Sequence, residues 1–176
     1  VLDFVDHDHG GPASRWAASC EIGSTITVRG PGGKKLVDPS ADWFLIAGDM
    51  SALPAISVNL ETLPAHARGY AVIEVLDDDD IQPLAIPDGV QLHWVVDPHG
   101  TRNEALIARL RSLPWLPGRA YPWFAGEFHG MREARAYLRG ERAIDRQQMY
   151  LSCYWKHGDT DEQMKAAKRR DAEENG

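Results

Sequence analysis

From residue 42 onward the chain alternates two textures, and that alternation limits its fold more than any single motif does. Trp43–Ala47 is an unbroken apolar run, the pattern of a strand covered on both faces. Leu53, Ile56, Leu60 and Leu63 then repeat at helical spacing. Tyr70–Leu76 reads as a second strand, ending in the four aspartates 77–80, and Gln91–Val96 as a third. Thr101–Glu104 reads as a capping box that opens a helix through about Leu113. Tyr121–Ala125 is a fourth strand; Pro122 removes one ladder donor, so its start is expected to be irregular or at an edge. Gly126–Arg139 reads as a helix with Phe128, Met131, Ala134 and Leu138 on one stripe, and Gln148–Tyr154 as a fifth strand. Thr160–Gln163 caps a charged terminal helix. Strands alternating with helices imply parallel pairing through right-handed crossovers. The expected fold is α/β, an open parallel sheet of about five strands with helices on both faces.

The opening residues read differently. Leu2–Val5 and Ser24–Arg29 alternate as strands, a short small-residue helix covers 12–19, and Gly30–Gly33 breaks the chain before a polar loop. Residues 1–33 are therefore expected to be the end of a small barrel, 34–41 a linker, and 42–176 the α/β domain. Val1 is no initiator, so a preceding segment is expected. The 176 residues are enough for a real core, and no apolar run nears the roughly 20 residues of a membrane span. Cys20 and Cys153 are too few and too far apart for a disulfide framework or a zinc clip, which makes a reducing cytoplasm the default. A net charge of −7 argues against nucleic acid as the main partner.

Two places offer bare backbone to an anion. His7 closes an apolar run, and the Gly-Gly-Pro-Ala-Ser turn that ends at Ser14 precedes a helix-favouring segment containing Trp16. Glycine and small residues let amides approach phosphate oxygens, and the following helix start adds a favourable dipole. Ala47-Gly48-Asp49 ends the first strand, with Ser51 and Ala52 at the helix start and Pro54 in its first turn. That bend suits a nucleotide pyrophosphate, and it suits equally a tight strand-to-helix turn with a serine cap. Ala125-Gly126-Glu127 ends the fourth strand in the same way, so two open bends are expected side by side at one edge of a crevice. Asp77 closes the second strand, where an acid can bond a ribose 2′-hydroxyl or simply begin a solvated loop. There is no G-x-G-x-x-G, no H-E-x-x-H and no G-x-S-x-G. A protein metal site is not expected, His93 reads as a satisfied core histidine, and no catalytic side chain is assigned.

Taken together these residues resemble the siderophore-interacting protein family, FAD-dependent ferric-siderophore reductases of the ferredoxin-reductase-like group. The resemblance rests on Asp3-Phe4-Val5 with His7, Gly11–Ser14 and Trp16, on Trp43–Pro54 with Ser51 where the family has threonine, on Ile73–Val75 with Gln82–Leu84, on Ala125–Glu127, and on Tyr154–Lys156 with Gly158. It implies an antiparallel FAD-binding barrel, here represented by its last strands, followed by a nicotinamide-binding α/β domain. The upstream Arg-x-Tyr-Thr-type motif has no counterpart in this chain. Carried over by residue, Gly11, Pro12, Ala13 and Ser14 line the FAD diphosphate, and His7 and Trp16 fix that turn or touch the cofactor. Gly48, Asp49, Ser51 and Ala52 form the nicotinamide-nucleotide turn, Gly126 and Glu127 lie near the nicotinamide end, and Tyr154 and Trp155 sit close to the flavin. The implied reaction passes electrons from NADH or NADPH through FAD to a ferric siderophore, releasing Fe(II). The rival readings are another flavin-dependent NAD(P)H reductase with a non-siderophore acceptor, and a nucleotide-binding fragment without turnover.

Overall fold

The three central apolar runs, 43–49, 68–75 and 120–127, become strands because side chains cover them on both faces. The structure, a computed structural model, describes residues 11–28 and 35–175. It divides into two compact units, Val1–Lys35 and Leu36–Gly176.

In the first unit, helix α1 (Pro12–Ser19) has Gly11 as its extended N-cap and Pro12 in its first turn. That is the short helix expected over 12–19. Leu2–Val5 lies outside the described residues. Residues 24–28, expected as a strand, carry no strand. Alternation supplies a face but no ladder, and a strand needs a hydrogen-bonded neighbour to exist.

The second unit is built on five parallel strands: β1 (Trp43–Asp49), β2 (Arg68–Val75), β3 (Gly89–Val96), β4 (Ala120–Glu127) and β5 (Tyr150–Trp155), in the order β3-β2-β1-β4-β5. Helix α2 is Leu53–Thr62, entered through a 3₁₀ turn at Met50–Ala52. The others are α3 (Glu104–Ser112), α4 (Phe128–Arg135) and α5 (Asp161–Asn175). Every residue of β1 is buried. Its side chains alternate between two cores, as the pleat requires. Trp43, Leu45 and Ala47 join Leu106, Leu110, Phe124 and Met131 on the α3/α4 face. Phe44 and Ile46 join Ile56, Leu60, Ile73 and Trp123 on the α2 face. Each such side chain contributes about 1.5–3 kcal/mol by leaving water.

Three expectations are amended. Pro122 sits in an interior strand, paired with Leu45 of β1, but β5 joins β4 only from Trp123 onward, so the proline lies where β4 is still one-sided. The helix expected over Gly126–Arg139 begins at Phe128 and passes into a π-helical segment, Ala136–Glu141. Its apolar stripe holds, since Phe128, Met131, Ala134 and Leu138 are all buried. Thr101–Glu104 is not a capping box: α3 starts at Glu104 behind Asn103, whose side chain makes no cap bond. The Leu106 N–H is instead capped by Glu74 Oε2 at 3.0 Å, a tertiary contact that local spacing does not reveal. At the terminal helix the expected box is present, with Gln163 Oε1 accepting from the Thr160 N–H at 2.8 Å and Thr160 Oγ1 accepting from the Gln163 N–H at 3.4 Å.

Candidate functional site

Strand order reverses between β1 and β4, the place where open parallel sheets bind ligands beyond their carboxyl ends. The two Ala-Gly-acid bends meet there in register, Gly48 opposite Ala125. The glycines are needed because the bends touch each other. A Cβ at Gly48 would stand 2.2 Å from the Ala125 carbonyl oxygen, and one at Gly126 would stand 2.7 Å from Asp49 Oδ2.

The acids of both bends face inward. Asp49 Oδ2 accepts from the Glu127 N–H (3.0 Å), Asn103 Nδ2 (3.2 Å) and Trp155 Nε1 (2.8 Å). Asp49 Oδ1 accepts from the Ser51 N–H (3.0 Å) and the Ser51 hydroxyl (2.5 Å). Glu127, fully buried, caps α4: Oε2 accepts from the N–H groups of His129 (2.5 Å) and Gly130 (3.2 Å). Its Oε1 lies 3.1 Å from His129 Nδ1 and accepts from the His157 N–H at 3.2 Å. A carboxylate taken out of water needs that many donors. The β1 bend is a tight strand-to-helix turn whose cap is Asp49 and not the expected serine, and the donors of Ser51 are engaged by Asp49. What this bend can present to a ligand is the Ser51 oxygen as an acceptor and the backbone beside it.

Two residues that sequence reasoning did not single out complete the cluster. Glu74, buried on β2, accepts from Asn103 Nδ2 at 2.7 Å and from the Leu106 N–H. Burial raises its carboxyl above the ordinary range, helped by the negative charges of Asp49 and Asp97 and opposed by the two hydrogen bonds. Its signal was legible, because it is the one charged residue in the Tyr70–Leu76 run. Asn103, fully buried, adopts a left-handed backbone with φ 56°. Its Oδ1 accepts from the Glu127 N–H at 2.9 Å. No spacing rule marks it.

The remaining predicted residues lie as follows. Gly11, Pro12, Ala13, Ser14 and Trp16 belong to the first unit, and His7 lies outside the described residues. Among the described residues no side chain caps the start of α1, and a Cβ at Gly11 would meet none of them within 4 Å. Ala52 is buried against α2, and Tyr154 packs against the same core. Asp77 is exposed beyond β2, where its Oδ1 accepts from the Asp79 N–H at 2.9 Å and caps a 3₁₀ turn. His93 is only half satisfied: Nδ1 meets Arg109 Nη2 at 2.9 Å, while buried Nε2 has no hydrogen-bond partner. Burial and the neighbouring guanidinium both lower its pKa. Among the described residues no three His, Cys, Asp or Glu side chains gather as metal ligands, and no helix is long and apolar enough to cross a membrane. A cavity of about 250 Å³ between α4, β5 and α5, lined by Arg135, Arg139, Arg146, Met149, Cys153 and Lys168, includes none of the predicted site residues.

Comparison with known proteins gives this geometry a context. Residues 41–158 match the family model described as siderophore-interacting protein, and residues 1–35 match the siderophore-interacting FAD-binding domain. The ferric vibriobactin reductase ViuB of Vibrio cholerae is 36% identical over 163 residues, covering 92% of this chain and 60% of that protein. An uncharacterized protein of Mycobacterium tuberculosis is 38% identical over 184 residues, covering 98% of this chain and 65% of its own length. The chain thus spans just under two thirds of these curated relatives. The crystal structure of the siderophore-interacting protein SipS from Aeromonas hydrophila superposes with a TM-score of 0.84 at 35% identity, over 95% of this chain and 66% of that one. On the match across residues 41–158 and on these relatives, the chain belongs to the siderophore-interacting protein family.

Proposed function

We propose that the protein is a ferric-siderophore reductase that takes electrons from NADH or NADPH through FAD and delivers them to chelated Fe(III). Two features of the structure fit the two coenzymes. The start of α1, with Gly11 as its extended N-cap and Pro12 in its first turn, has the small-residue backbone that suits an anionic diphosphate, and this stretch lies within the FAD-binding match. The switch point between β1 and β4 fits a nicotinamide nucleotide, with Gly48, Ser51 and Ala52 on one side and Gly126 on the other. The in-register junction of those two bends is the observation that carries the reading.

When bound, FAD supplies the conversion of a two-electron hydride into single electrons that iron can accept. The side chains act by placement. Asp49 and Glu127 hold the bends rigid from within rather than touching substrate, because their oxygens already serve protein donors. On this reading Asp77, exposed at the β2 end with Oδ1 engaged by the Asp79 N–H, would use its remaining carboxylate capacity on a ribose hydroxyl and would oppose a 2′-phosphate by charge. Tyr154 and Trp155, at the end of β5, are the residues this reading assigns to the flavin. Lys156 is paired with Asp159 at 2.7 Å, which reduces its pull on an anionic chelate. Reduction to Fe(II) weakens binding by hard oxygen ligands and frees the metal. The reading places the reaction in the cytoplasm, where nicotinamide nucleotides are held.

The test uses the complete gene product reconstituted with FAD, NADH or NADPH, ferric siderophores and an Fe(II)-trapping dye. Trapped Fe(II) that depends on both FAD and the nicotinamide supports the reading. Oxidation of NAD(P)H with quinones or cytochromes but not ferric chelates would assign another acceptor, and a colourless protein that rejects FAD would leave a nucleotide-binding module.

A further inference from the structure

Asn103 occupies the point where the ends of three strands converge. It is fully buried, and its amide is used in full: Oδ1 accepts the Glu127 N–H of β4, while Nδ2 donates to Asp49 of β1 and Glu74 of β2. Two glycines make room for it. A Cβ at Gly126 would stand 2.9 Å from Asn103 Oδ1, and one at Gly130 would stand 2.7 Å from Asn103 Cβ. Only a neutral side chain with one acceptor and two donors satisfies an N–H and two carboxylates together. A carboxylate here would add a fourth negative charge, and an apolar side chain would leave all three partners short of a bond. Left-handed φ is also costly for most residues and mild for asparagine, so backbone and side chain select the same residue.

We propose that Asn103 is a positioning residue for nicotinamide nucleotide binding: its amide sets the distance between the Gly48–Asp49 and Gly126–Glu127 bends. This rests on the reading that the nucleotide binds at that switch point. Asn103 touches no ligand in this account and acts through the two bends.

The substitution Asn103→Gly isolates the amide, because glycine takes a left-handed backbone freely. In the complete, FAD-loaded protein, N103G is expected to keep its flavin and its chemical reduction by dithionite. The NADH or NADPH concentration for half-maximal flavin reduction is expected to rise about tenfold, since small misplacements of a bound reactant are costly. Asn103→Asp adds a readout that a merely structural role would not move. It keeps the acceptor for the Glu127 N–H but loses both donors, among Asp49, Glu74, Glu127, Asp97 beyond β3, and His129 on α4. The N103D half-saturation value is therefore expected to rise at least as far as that of N103G, while in both variants the limiting rate of flavin reduction at saturating nicotinamide stays within about twofold of wild type, a split that a merely structural loss would not give. Half-saturation values in both variants matching wild type, or an equal loss of flavin, would overturn the inference. Failure of both variants to fold would do so too, by making Asn103 a determinant of the fold alone. A wild-type flavin that neither nicotinamide reduces would instead overturn the proposed function, a distinct outcome.

Discussion

Trp155 donates its indole N–H to Asp49 Oδ2 at 2.8 Å, and in doing so ties β5 to β1 across the end of β4. The same oxygen receives the Glu127 N–H of β4, so one carboxylate oxygen gathers the ends of three strands. Removing Asp49 leaves the Trp155 indole and the Ser51 N–H without their acceptor, and the Glu127 N–H with Asn103 Oδ1 alone. D49A is expected to cost about 2–4 kcal/mol, and W155F, which removes one donor, about 1 kcal/mol. Urea unfolding checks both, and Trp155 emission should shift in D49A as its indole loses its partner.

Substitutions at the close-packed glycines should be severe for steric reasons. Gly69 has φ +140°, and a Cβ there would lie 1.9 Å from the Phe44 carbonyl oxygen. G69A is expected to lose about 3 kcal/mol or more, whereas G11A, whose new Cβ would meet no described residue within 4 Å, should change stability by less than about 1 kcal/mol. Thermal unfolding of the two variants side by side decides it.

Glu74 and Asp171 should respond to pH in opposite senses. Burial raises the Glu74 pKa, so the folded state binds that proton more tightly than the unfolded chain. Its contribution to stability therefore declines as pH rises from the ordinary carboxylate range through the raised value. Hydrogen bonds from Arg135 hold Asp171 below its ordinary range, with the charges of Arg135 and Arg132 assisting. Its contribution is present above the ordinary range and is lost as pH falls through the lowered value. E74Q should remove the first slope and D171N the second, read from urea midpoints across acid to neutral pH.

The two thiols should differ sharply in reactivity. Cys20 is exposed, whereas Cys153 is buried, with burial pushing its thiol up to about 11. A disulfide reagent is expected to label Cys20 at once and Cys153 only on unfolding, so the native protein titrates as one fast thiol. Fast labelling of both would contradict the docking of α5 over β5, which Lys168 supports by donating to Ser152 Oγ and the Cys153 carbonyl.

The sheet could be read from sequence because continuous apolar runs such as Trp43–Ala47 carry the signature of two-sided burial in every residue. The helix stripes from Leu53 to Leu63 and from Phe128 to Leu138 were legible for the same reason. The interior of the site was not. Asp49 and Glu127 look in sequence like acids beside open bends; their caps onto Ser51 and onto His129 and Gly130 are local, but only tertiary packing brings Trp155 to the first and the His157 N–H to the second. Asn103 was hidden more deeply, since its partners Asp49, Glu74 and Glu127 stand 54, 29 and 24 residues away along the chain. Glu74 was the visible half of that network, a lone charge inside an apolar strand that had to have a partner.

The most direct test of the account is an anaerobic titration of the complete, FAD-loaded protein with NADH and with NADPH, followed by flavin absorbance. The account predicts that a nicotinamide bleaches the flavin, and that a ferric siderophore added afterwards restores the colour while Fe(II) appears in the trap. A flavin that stays oxidised at saturating concentrations of both nicotinamides would contradict it.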